Sequence, residues 1–142
     1  MTRDPGSQTA TEEDDAPLGT WAEFHLVGRL GDGGYGTVYR ARREGEELAL
    51  KILWPPPSAR EISRFIREQV LVADLRHRNV VEIRDFGKRD QGPFIAMELV
   101  RGGDLDRLIL RDQLGLEVAL VRSMVAQIAG ALDFVHGRGI IH

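Results

Sequence analysis

The sequence predicts an α+β fold: an antiparallel sheet of five short strands with one helix, followed by two further helices. Three observations carry this. Short runs rich in β-branched and aromatic residues recur between residues 24 and 99, divided by glycine, proline and polar turns. Between the third and fourth runs, Ser58 and Glu61 spell a Ser-x-x-Glu capping box ahead of apolar residues at helical spacing. Beyond Gly102-Gly103 the strand-like runs cease, and a long stripe with the helical period takes over.

Composition bounds the rest. A chain of 142 residues holds one ordinary core, and 42% apolar with 29% charged residues belongs to a globular chain. No uninterrupted run of 18 apolar residues occurs and no apolar segment follows a basic start, so a cytoplasmic chain with no membrane segment is expected. The absence of cysteine excludes disulfides and thiolate metal sites. The net charge of -3 is concentrated at the start, where Asp4, Glu12, Glu13, Asp14 and Asp15 face only Arg3. The remainder then has 18 bases against 17 acids, a balance that indicates no nucleic-acid partner. Among the bases, 17 are arginine and only Lys51 and Lys88 are lysine, so each lysine marks a place where the identity of the cation matters.

Taken in order, residues 1–23 are an acidic, apolar-poor stretch expected to stay disordered. Phe24 to Leu30 and Thr37 to Ala41 read as strands flanking a glycine-rich turn. The polar turn Arg43-Glu44-Gly45-Glu46 leads to a third strand, Leu48 to Leu53, which Trp54 and prolines 55–57 end. A helix is expected from Ser58 to about residue 76, carrying Ile62, Phe65, Ile66, Val70, Leu71, Val72 and Leu75. Val80 to Phe86 and Phe94 to Leu99 give two more strands around a loop at Gly87 to Pro93. A short helix over about 104–111 and a longer one from Glu117 to Gly137 complete the chain. Val121, Met124, Val125, Ile128, Leu132 and Val135 stripe the longer one, which requires a core to cover them.

Chemistry concentrates at Gly31-Asp32-Gly33-Gly34-Tyr35-Gly36-Thr37-Val38, a Gly-x-Gly-x-x-Gly-x-Val pattern. Glycines so spaced let backbone amides approach phosphate oxygens. A dinucleotide-binding fold would need a helix after the last glycine, and the strand-like Thr37-Val38-Tyr39 disfavours it. Lys51 lies inside the apolar run Leu48 to Leu53, where an ammonium without an anionic partner is costly. The helix offers Glu61, Glu68 and Asp74. Glu61 is engaged by the cap, and Glu68 shares a face with Phe65, Leu71, Val72 and Leu75, so Glu68 is favoured and expected to project toward the sheet.

The glycine pattern followed by Ala49-Leu50-Lys51 resembles the Val-Ala-Ile-Lys arrangement of protein kinases, in particular bacterial Ser/Thr kinases of the eukaryotic-like type. The resemblance covers residues 24–142. It implies a kinase small lobe and hinge over residues 24–100 and the start of a large lobe over 101–142. It further implies ATP and Mg2+ as cofactors and a protein as substrate, with Lys51 holding the α- and β-phosphates and paired with Glu68 as the catalytic couple. Gly31, Gly33 and Gly36 would cover the phosphates. Leu30, Val38 and Ala49 would roof the adenine, Met97 would stand beside it as gatekeeper, and Glu98 and Val100 would offer it backbone hydrogen bonds.

The run Leu132 to His142 resembles the approach to the His-Arg-Asp catalytic loop, with His142 as its histidine. The proton-accepting Asp and the metal-binding residues are not among the 142, so these residues alone are expected to bind ATP without transferring phosphate. Asp85-Phe86-Gly87 and His77-Arg78-Asn79 mimic the metal-binding triplet and the catalytic loop. Both precede the hinge, so they are assigned to a strand end and a helix-to-strand turn. The alternative function is a non-catalytic module, derived from a kinase, that binds a nucleotide or a partner.

Overall fold

The computed structural model describes residues 18–33, 35–54, 58–106, 109 and 115–141. The expectations for residues 1–17, for His142 and for most of the helix over 104–111 lie outside the described residues. In chain order the elements are β1 (Gly19–Trp21), β2 (Phe24–Gly33), β3 (Gly36–Arg43), β4 (Glu46–Leu53), α1 (Ala59–Ala73), β5 (Ile83–Arg89), β6 (Gly92–Glu98) and α2 (Val118–His136). The strands form one six-stranded sheet in the order β1-β2-β3-β4-β6-β5, and every neighbouring pair is antiparallel.

The sheet has one strand more than the five expected. Gly19–Trp21, assigned from sequence to the disordered stretch, pairs with β2, and the Leu18 amide donates to the Leu26 carbonyl at 2.9 Å. The reason is Trp21, 8% exposed, whose ring meets those of Phe24 and Phe94 at centroid distances of 6.1 and 5.4 Å. Burial of one large aromatic offsets the ordering of a three-residue strand. β5 also lies further along than expected, because Gly87 and Lys88 pair with Phe94 and Pro93 and the hairpin turns at Asp90-Gln91. Val80 instead closes the preceding turn, its amide donating to His77.

Between β3 and β4 the chain reverses at Glu44 and Gly45, both at positive φ (52° and 83°), the two-residue turn whose twist suits a hairpin. Along β4 the side chains alternate. Leu48, Leu50 and Ile52 point to one face with Ala41, Phe94 and Ala96, where they meet Trp21 and Phe24 to form the core. Ion pairs between β3, β5 and the β1–β2 turn stand at the core's edge. Arg43 bridges to Asp85 and Arg89 to Glu23, while the same two guanidiniums lie 4.9 and 4.8 Å over the Phe24 and Phe94 rings. Asp85, in the sequence triplet that mimics a metal site, is thus a structural ion-pair partner within β5.

α1 starts on the capping box. The Ser58 amide donates to Glu61 Oε2 at 2.8 Å, and the Glu61 amide returns a bond to Ser58 Oγ. The helix packs against β5 and ends at Ala73, three residues before the expected end. α2 is tied to the turn after α1. Asn79 Nδ2 donates to Gln127 Oε1 at 2.8 Å, and the His77 and Phe134 rings lie 4.9 Å apart. Its stripe of Val121, Val125, Ile128 and Leu132 is between 40% and 59% exposed. By length and composition alone α2 could cross a bilayer, although Arg122 and Asp133 interrupt its apolar residues.

Phe94 is 0% exposed and touches both other core rings. Phe94→Ala is therefore expected to cost about 3–5 kcal/mol, read as a lower denaturant midpoint. A midpoint matching that of wild type would contradict this core.

A second expectation concerns acid. Hydrogen bonds from Arg89 hold the Glu23 carboxyl below the ordinary 4.5, those from Arg42 lower Glu47, and those from Ser58 lower Glu61. A carboxyl depressed by folding contributes stability that is complete above its unfolded value and is lost as pH falls through its folded one. The melting temperature is expected to hold down to about pH 5 and fall below 4.5, less steeply in high salt. A flat profile to pH 3 would contradict it.

Candidate functional site

The face of the sheet opposite the core presents the residues that sequence reasoning placed around a nucleotide. Cross-strand partners share a face, and the register pairs Val38 with Lys51 and Lys51 with Ile95 in one row, Arg40 with Ala49 and Ala49 with Met97 in the next. Val38, Ala49, Lys51 and Met97 therefore lie together. Ala49 is 7% exposed and Val38, Lys51 and Met97 are half-buried.

The glycine hairpin joins this face at one end of β4. Gly31 pairs with Val38 and Gly33 with Gly36, so β2 and β3 stay paired through the motif. Because Gly36 opens a strand and not a helix, the dinucleotide-binding alternative fails. Gly36 is required sterically, since a Cβ there would stand 2.2 Å from the Ile52 carbonyl oxygen. Leu30 falls where the β2–β3 register shifts, unpaired between Arg29 and Gly31, and is 48% exposed at the rim.

At the other end of the row, the Glu98 amide donates to the Glu82 carbonyl at 2.9 Å, and its carboxylate accepts from the Glu82 amide. Of Glu98's two backbone groups, the amide is thus already committed. Val100 follows β6 and is 66% exposed.

The Lys51 ammonium makes no hydrogen bond or ion pair among the described residues. Its expected pairing with Glu68 is not formed. Glu68 Oε1 accepts from Arg64 Nε at 2.8 Å on the solvent side of α1, with the two side chains 55% and 79% exposed. The helix is seated on a different face from the one expected. Ile62 is its buried residue and Phe65, Ile66, Gln69, Val72 and Ala73 are partly covered, while Leu71 is 65% exposed. Six residues beyond Ile62, Glu68 lies about 120° around the helix from that seat. Arg64, one turn earlier, is the partner sequence reasoning did not weigh, although its i,i+4 spacing to Glu68 was visible.

Three further residues escaped notice. Trp54, read only as the end of a strand, donates from Nε1 to Thr37 Oγ1 at 3.1 Å, and Thr37 Oγ1 donates to Asp32 Oδ1 at 2.9 Å.

The half-buried Lys51 ammonium, without a partner among the described residues, lies beside Val38, Ala49 and Met97 and beside a hairpin whose Gly36 admits no side chain, surroundings in which an anion could meet it. For a metal, the described residues gather no group of three or more His, Asp or Glu side chains.

Comparison with known proteins identifies the family of the chain. Residues 24–142 match the family model described as protein kinase domain. The serine/threonine-protein kinase pkn3 of Myxococcus xanthus is 36% identical over 125 residues, covering 84% of this chain and 23% of its own length. PknF of Mycobacterium tuberculosis, also a serine/threonine-protein kinase, is 38% identical over 129 residues, 87% of this chain and 27% of its own. The crystal structure of the Mycobacterium tuberculosis PknI kinase domain superposes with a TM-score of 0.75 at 35% identity, covering 89% of this chain and 53% of that one. The chain thus spans about a quarter of the length of these curated relatives. Since the match runs from the first residue of β2 to the last residue given, this chain belongs to the protein kinase family.

Proposed function

We propose that the chain forms the ATP-binding part of a protein kinase that transfers the terminal phosphate of ATP to a serine or threonine hydroxyl of a protein. The observation that carries this reading is the Lys51 ammonium, unpartnered among the described residues, on the face it shares with Val38, Ala49 and Met97. In this reading Lys51 holds the α- and β-phosphates. The amides around Gly31, Gly33 and Gly36 cover them, and Leu30, Val38 and Ala49 roof the adenine. Met97 stands beside the base, with the Glu98 carbonyl and Val100 amide as its hydrogen-bonding edge. Mg2+ enters with the nucleotide. Glu68 is assigned the carboxylate that orients Lys51 once α1 is re-seated. A cytoplasmic placement of the catalytic part goes with this reading, since ATP and protein hydroxyls are its substrates.

The seat of α1, with Ile62 buried and Glu68 turned to solvent, favours one second reading, a nucleotide- or partner-binding module that does not catalyse. Transfer of labelled phosphate by the protein as its gene encodes it separates the two.

Mg-ATP is expected to raise the melting temperature of that protein, because a ligand bound only by the folded form adds stability. Lys51→Met is expected to remove the shift and to lower phosphate transfer at least about 100-fold, the scale on which preorganised charge contributes to catalysis. An equal shift in wild type and Lys51→Met would remove Lys51 from the site. Glu68→Gln is expected to leave the melting temperature unchanged while reducing transfer, and unaltered transfer would favour a role for Glu68 limited to the surface of α1.

A further inference from the structure

We propose that Asp32, Thr37 and Trp54 form a clasp on the outer side of the glycine hairpin that holds it in shape for a phosphate chain, with Trp54 as its anchoring, positioning residue. The proposal rests on the nucleotide reading given above for what the hairpin covers. The clasp itself is a continuous run of hydrogen bonds. The Trp54 indole N–H donates to Thr37 Oγ1 at 3.1 Å, and the same hydroxyl donates to Asp32 Oδ1 at 2.9 Å. The second carboxylate oxygen of Asp32 is held by Arg29. A backbone bond runs alongside, from the Trp54 amide to the Tyr35 carbonyl at 3.1 Å. The three side chains thereby join both strands of the hairpin to the end of β4.

Its position agrees with such a role. Thr37 pairs with Asp32 on one side and with Ile52 on the other, so it projects on the face opposite Val38 and Lys51. The bonds brace the back of the hairpin and leave the nucleotide side unobstructed. Arg29 also neutralises Asp32, whose carboxylate would otherwise repel phosphate from within the hairpin. Trp54 is 50% exposed, so burial is a poor reason for a tryptophan there, whereas its N–H is the donor the 7% exposed Thr37 hydroxyl accepts.

The physical need arises from the glycines. A hairpin with glycines at positions 31, 33, 34 and 36 loses more backbone freedom on ordering than any other composition. Without cross-links that cost would fall on nucleotide binding and weaken it.

The test uses the protein as its gene encodes it and follows amide exchange by NMR at Gly33, Tyr35 and Gly36, with Leu50 as the control for global stability. Binding of Mg-ATP is measured in parallel. Trp54→Phe keeps the ring and removes the donor, and Thr37→Val keeps the shape and removes the hydroxyl. Each is expected to speed hairpin exchange and to raise the Kd for Mg-ATP by about three- to tenfold, the scale of one hydrogen bond, with Leu50 unchanged. Thr37→Ser, which keeps the hydroxyl, is expected to match wild type. Wild-type exchange at the hairpin in both Trp54→Phe and Thr37→Val overturns the clasp. If wild type binds no Mg-ATP, the nucleotide reading falls, and hairpin exchange alone then decides the clasp.

Discussion

The site depends on the register of β4. This strand has partners on both sides, so its period of two is imposed on β3 and β6 together. Leu48, Leu50 and Ile52 enter the core, and Ala49 and Lys51 are delivered to the opposite face. A slip of one residue would place an ammonium among Phe24 and Phe94 and expose three large aliphatic side chains. The cost of a buried, unpaired charge far exceeds that of any single pairing in the sheet, so the core enforces the position of Lys51. Half-burial also explains why Lys51 tolerates having no partner among the described residues: its ammonium keeps contact with water.

The second constraint is how the sheet holds its ends together. β1 and β5 are its two edges, yet Trp21 before the β1–β2 turn and Phe94 beside β5 meet across the core at 5.4 Å. The aromatic contacts carry most of the energy, because burial of such rings outweighs ion pairs that remain partly in water. The pairs of Arg43 with Asp85 and Arg89 with Glu23 act more as alignment, fixing which residues of β5 stand over the β1–β2 turn. Arg43 and Arg89 also place their guanidiniums over the Phe24 and Phe94 rings, so arginine serves there in a way lysine would not.

Local patterns made much of this legible. The glycine hairpin, the strand that carries Lys51 and the capping box at Ser58 are each written within eight residues, and each forms where it was expected. Features decided across the fold were less visible. β1 depends on Trp21 finding Phe94, more than 70 residues away, and nothing in a polar three-residue stretch announces it. β5 was displaced because Gly87 and Lys88 read as a loop, whereas pairing with Phe94 and Pro93 holds them in the sheet. The clasp was hidden for a similar reason, since Asp32, Thr37 and Trp54 become neighbours only once three strands are in register. The seat of α1 was misjudged because Leu71 and Val70 suggested a wider apolar face than the sheet covers, leaving these residues 65% and 54% exposed.

That seat decides what would bring Glu68 to Lys51. The Arg64–Glu68 pair lies along an exposed helix face, and pairs of that kind are weak and screened by salt. It cannot be what holds the carboxylate away. The packing of α1 on β5, with Ile62 buried, is the stronger interaction, because covering one such aliphatic side chain contributes about 1.5–3 kcal/mol. Moving Glu68 toward the sheet therefore means turning α1 on its seat, which exchanges apolar contacts along Ile62, Phe65 and Ile66 for others. An ammonium and a carboxylate drawn together beside bound phosphates would have to offset that exchange, so formation of the pair is coupled to how α1 packs and not to the loss of a surface salt bridge.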